Sequence, residues 1–276
     1  MARHGHLLRA LPSFILASLL VAPWAPLFAE APTAGTEDTQ VLFTYEVVNG
    51  QLDPHKPIPS KTEQAIHRKI WAAVKTFIPP ALSGQVGRVE FFTTADGYDP
   101  ETATDAYATL SDDSNYFILG LSADLGAAAF IDFDQDALEE YARSVIHEFG
   151  HVLSLNASQM TEGGDGGLKI DEGVLKRSAY LNQFYEKFWA SEYPDHGPAT
   201  SSGEDGDSLY KGDPNSFVTE YAATGPLEDF AETFATFVFE DKPSAATMAG
   251  KKILYLYSKP EIVTLRNAIR KGLEAL

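Results

Sequence analysis

Residues 144–153 read SVIHEFGHVL, and within them two histidines stand four positions apart. On an α-helix, side chains at that spacing lie one turn above each other on one face. The segment predicts a helix from about Asp136 to Leu155, with Asp134 or Asp136 as N-cap and Leu138, Tyr141, Val145 and Val152 on its apolar side. His147 and His151 can then direct two imidazoles at a single ion. Glu148 is rotated about 100° from His147, so its carboxylate can reach a water at such an ion without taking a ligand position. Gly150 leaves room beside the pair. The chain has no cysteine, so any metal must be held by histidine and carboxylate.

The pattern H-E-x-x-H is the one by which zinc peptidases hold their metal. Catalytic zinc keeps three protein ligands and an open fourth position, so a third ligand is required. The longer motif with Gly at 154 and His at 157 is excluded, because Ser154 and Ala157 stand there. His196 lies in a polar loop with no partner motif. Glu172 lies 21 residues beyond His151, but Lys176 rather than an acid follows one turn later. Glu228 is the better candidate. It stands one turn before Glu232 on a helix predicted for LEDFAETFATFVFE, where Phe230, Phe234, Phe237 and Val238 supply a buried face. Glu228 would bind the ion, and Glu232 would accept the second N–H of a ligand histidine and fix its tautomer.

Tyr221, Thr224, Glu228, Phe230, Ala231 and Glu232, taken with HEFGH, resemble the catalytic domain of anthrax lethal factor and the related secreted Pro-Pro endopeptidases. These are zinc metalloendopeptidases of gluzincin type. The resemblance covers residues 144–153 and 221–237; Gly225 and Asp229 depart from the family pattern. It implies a zincin-like fold, Zn2+ as cofactor, Glu228 as third zinc ligand, Glu232 behind the ligands and Tyr221 as a donor to the oxyanion. A phenol seven residues before Glu228 also suits that role chemically, since it can donate to charge developing on a carbonyl under attack.

The rest of the chain supplies the setting. Arg3 and Arg9, the apolar run Leu11–Ala29 and the acidic segment after it read as a signal peptide over residues 1–29. Residues 30–60 form a spacer and a first strand, VLFTYEVV, followed by the loop NGQLDPHKPIP. Residues 61–276 then form one catalytic domain, with an upper part to about 156 and a helical lower part after it. Helical spacing over Lys61–Phe77 ends at Pro79 and Pro80, and His55 and His67 read as surface residues. GRVEFFTT and NYFILGLSA read as strands separated by a loop, the second being a candidate edge for an extended substrate. The expected class is therefore α+β, a small mixed sheet with an active-site helix and a mainly helical C-terminal part. A net charge of -18, or -20 without Arg3 and Arg9, argues against a nucleic-acid partner. The expected partner is a peptide or protein substrate met outside the cytoplasm, in a periplasm or beyond the cell, with no stable membrane insertion once the leader is removed. Two other readings share these residues: an exported zinc protein that binds without catalysis, and a zinc hydrolase acting on a non-peptide bond.

Overall fold

The computed structural model describes residues 39–276 except 56, 95–103, 113, 162–165 and 195–202. The expected leader and His196 lie outside the described residues. β1 (Thr39–Val48) and β2 (Gln51–Pro54) form a hairpin through Asn49 and Gly50, whose φ angles are 53° and 72°. Asn-Gly suits a two-residue turn of this hand, which matches the twist of the flanking strands. The expected loop over residues 49–59 thus contains a strand, directly after its two-residue turn. Asp53 and Pro54 disguise it, and both are tolerated because β2 is an edge.

The sheet order is β2-β1-β3-β5-β4. β3 (Val86–Thr94) runs antiparallel to β1 and parallel to β5 (Phe117–Ser122), and β4 (Ala106–Leu110) runs antiparallel to β5. Here the structure corrects the strand assignment. The NYFILGLSA strand is β5, an internal strand, whose continuous apolar run reflects burial on both faces. Among the described residues the edge on that side is β4, with sequence AYATL, inside the stretch expected to be a loop. The ring of Tyr107 on β4 lies across β5 at Gly120, where a Cβ would sit 2.1 Å from it. Its hydroxyl donates to Glu90 on β3 at 2.5 Å.

α1 (Lys61–Phe77) opens with a reciprocal cap: Ser60 N–H donates to Glu63 at 2.7 Å, and Glu63 N–H to the Ser60 hydroxyl at 3.2 Å. Its buried stripe includes His67 as well as Ile70, Trp71, Val74 and Phe77. His67 is therefore not a surface residue. It sits at i, three and four positions before two core residues, and stacks on Phe91 at a centroid separation of 4.0 Å.

α2 (Pro80–Ser83), α3 (Ala123–Phe130) and α4 (Gln135–Leu155) complete the first half. Asp134 caps α4 by accepting the N–H groups of Asp136 and Ala137 at 3.0 and 3.2 Å. From Val145 to Leu155 every residue of α4 is buried, because β4, α3 and α7 pack around it. The two short strands β6 (Lys169–Ile170) and β7 (Gly173–Val174) precede α5 (Tyr180–Phe188), α6 (Gly203–Gly212), a 3-10 turn (Tyr221–Thr224), α7 (Pro226–Phe239), α8 (Met248–Tyr257) and α9 (Pro260–Leu273). α6 falls where a polar loop was expected. The final carbonyls of α7 would be orphaned at its C-terminus, but Arg266 and Arg270 of α9 donate to Phe237, Val238, Phe239 and Glu240. The class is α+β, with a small mixed sheet and a mainly helical second half.

Candidate metal centre

α4 and α7 approach so closely that a Cβ on Gly150 would lie 2.8 Å from the Cα of Ala231. Gly150 thus does more than leave space beside the histidines, because its missing side chain sets the distance between two helices. Glu228 and Glu232 flank Ala231 on α7 and are carried against His147 and His151 on α4. All four residues are buried.

His147, His151 and Glu228 each offer one ligand atom to a common point. His147 Nε2 lies 3.1 Å from Glu228 Oε2, His151 Nε2 lies 3.3 Å from the same oxygen, and the two Nε2 atoms are 3.2 Å apart. A tetrahedral ion with bonds of about 2.05 Å needs ligand atoms roughly 3.3 Å apart, so this nearly equilateral triangle is the right size. His147 Nδ1 lies 2.6 Å from Glu232 Oε1. With the ring proton held there, His147 Nε2 turns a lone pair toward a carboxylate oxygen. Two acceptors that close require a proton or a metal cation between them. The donor set therefore fits a bound cation.

Electrostatics agree. Burial pushes the Glu228 carboxyl up, but His151 and His147 outweigh burial and hold it below the usual carboxylate range. Burial lowers the affinity of both imidazoles for a proton, and the facing carboxylates more than reverse this, raising both. The pocket has a strong preference for positive charge.

Glu148 differs from Glu228. Burial raises its carboxyl to about 7, opposed by His147 and His151 and by the backbone amide of Ala108 on β4. Its Oε1 lies 4.0 Å from His147 Nε2, and its buried Oε2 has no hydrogen-bond partner. A carboxylate oxygen left without a partner beside a cation pocket is free to take a proton. The Tyr221 ring centroid lies 5.8 Å from that of His147. The predicted residues His147, Glu148, His151, Tyr221, Glu228 and Glu232 are thus brought together. Glu172 is exposed between β6 and β7 and takes no part.

Two supporting residues escaped the sequence reading. The Thr219 hydroxyl donates to Glu232 Oε2 at 2.9 Å, so both oxygens of that carboxylate are held. Asp105, directly before β4, accepts from the Ser144 hydroxyl on α4 at 2.8 Å, one turn before Glu148. That bond ties the sheet edge to the helix, and burial raises the Asp105 carboxyl to about 6. Neither residue lies in a motif, so no spacing signal marks it. No protein-family model matches the chain, and no curated protein or solved structure matches it either.

Proposed function

We propose that the chain is an exported zinc-dependent endopeptidase with a zincin-like fold, of gluzincin type. The observation that carries the reading is the convergence of His147, His151 and Glu228 on one point, with the Glu148 carboxylate beside them and its Oε2 left without a hydrogen bond. Two imidazoles and one carboxylate suit zinc among the common divalent ions. His147, His151 and Glu228 would hold it, and Glu232, fixed by Thr219, would keep the His147 ring in the tautomer that leaves Nε2 free. Zinc, when bound, supplies Lewis acidity toward a carbonyl oxygen and makes a water acidic near neutral pH.

The remaining steps belong to the protein. Glu148 Oε2 takes the proton of the attacking water and passes it to the leaving amine nitrogen. The Tyr221 hydroxyl donates to the oxygen on which negative charge develops. The substrate is an extended peptide lying along β4. At the ends of the β4–β5 ladder the Asp105 carbonyl accepts from Ser122 of β5, and Ser111 N–H donates to the Tyr116 carbonyl just before β5. By alternation, the backbone groups of Ala106 and Leu110 and the carbonyl of Ala108 face outward and can pair with a further strand, while the Ala108 amide is held by Glu148.

Incubating the purified protein with a diverse peptide library, with and without chelator, tests the function. Cleavage that chelator abolishes and zinc restores is expected; zinc binding without cleavage would leave a binding protein instead. Glu148→Gln should retain zinc and lose turnover by several orders of magnitude, and undiminished turnover in that variant would remove Glu148 from the mechanism.

A further inference from the structure

Asp229 and Lys252 form an ion pair with neither residue exposed, Oδ2 to Nζ at 2.6 Å. Such a pair is a poor source of stability, since removing two charges from water costs about as much as their attraction returns. The places its bonds lead are more informative. The Lys252 ammonium also donates to the Ser216 carbonyl at 2.7 Å and sits 4.1 Å from the centroid of the Phe217 ring. Asp229 also accepts from Trp189 Nε1 at 2.7 Å.

Asp229 is the neighbour of Glu228 in the first turn of α7, whose N-cap Gly225 provides no side-chain hydrogen bond. Ser216 leads within three residues to Thr219, which holds Glu232, and within five to Tyr221, which faces His147. We infer that Lys252 is a positioning residue of the metal centre, its ammonium holding the turn that carries Glu228 in register with the segment that carries Thr219 and Tyr221. This rests on the zinc reading above. Lys252 touches none of the proposed ligands, so its effect is transmitted through Asp229 and the 216–219 backbone.

The test is the pair of substitutions Lys252→Met and Asp229→Asn combined, which removes both charges together and leaves neither stranded. Zinc dissociation constants are read by competition with a chromophoric chelator, and folding of the metal-free protein by near-ultraviolet circular dichroism. The folded double variant should bind zinc about tenfold more weakly, the lower end of what loss of ligand-supporting contacts costs. In that background Thr219→Val should weaken zinc less than it does in the wild type, because the segment is already loose. Zinc affinity within about twofold of wild type in the folded variant, or strictly additive losses, overturns the inference. Should the double variant not fold, Phe217→Leu keeps both charges but loosens the ammonium; it should weaken zinc by about threefold, and no change overturns the inference. A wild-type protein that binds no zinc overturns this inference and the proposed function together. Wild-type binding with unaffected variants overturns this inference alone.

Discussion

Single residues here are set by what they can exchange with water. His67 is sealed against Phe91, with Nδ1 2.7 Å from the Tyr45 hydroxyl, and burial lowers its pKa to about 4. The unfolded chain binds a proton near pH 6.5, so the native state loses stability as pH falls from there toward 4. The loss is about 3 kcal/mol at most. His67→Gln, which cannot titrate, should flatten melting temperature against pH across that window relative to wild type, and parallel curves would refute the assignment. The proposed metal ligands His147 and His151 shift in the opposite sense. Because carboxylates raise the His147 pKa, protons compete with metal for it, and zinc affinity should weaken steadily as pH is lowered in a competition titration. The buried His147/His151 and Glu228/Glu232 pairs were legible in the sequence because a four-residue spacing has one geometric meaning on a helix. His67 was not legible as buried, because a lone histidine among Arg68 and Lys69 looks solvated until its spacing to Ile70, Trp71 and Val74 is counted.

At the scale of elements, the centre is a contact between two helices. Gly150→Ala would place a methyl 2.8 Å from the Ala231 Cα, and α7 must shift outward. We expect a loss of about 1–3 kcal/mol in denaturant unfolding together with weaker zinc binding; loss of stability with zinc affinity intact would mean that the ligands follow α4 alone. Helix boundaries were legible from caps and prolines: Lys61–Phe77 stands as expected, and α4 starts one residue earlier than predicted, at Gln135. Strand roles were less so. Strand β4 has five residues and follows residues rich in Asp and Thr, so local composition argued for a loop, and only its pairing with β5 makes it a strand. Contacts such as Asp105 with Ser144 join residues 39 positions apart, and no local pattern encodes them.

For the molecule as a whole, the metal would join its two halves, because α4 and α7 belong to different ends of the chain. Zinc at a thousandfold excess over its dissociation constant should stabilise the protein by about 4 kcal/mol, a rise of roughly 10 °C for a domain of this size. Calorimetry before and after chelation checks this, and an unchanged melting temperature would show that no such clasp exists. The two rims of the sheet are unequal. β2 carries Asp53 and Pro54, which discourage chance pairing, whereas β4, AYATL, carries neither charge nor proline and borders Glu148. A stray unfolded chain is turned away at one side and welcomed at the other. The place where this protein is most exposed to sticking to its own kind therefore also borders the proposed metal centre, and if that centre is catalytic, self-association should inhibit turnover before the protein precipitates.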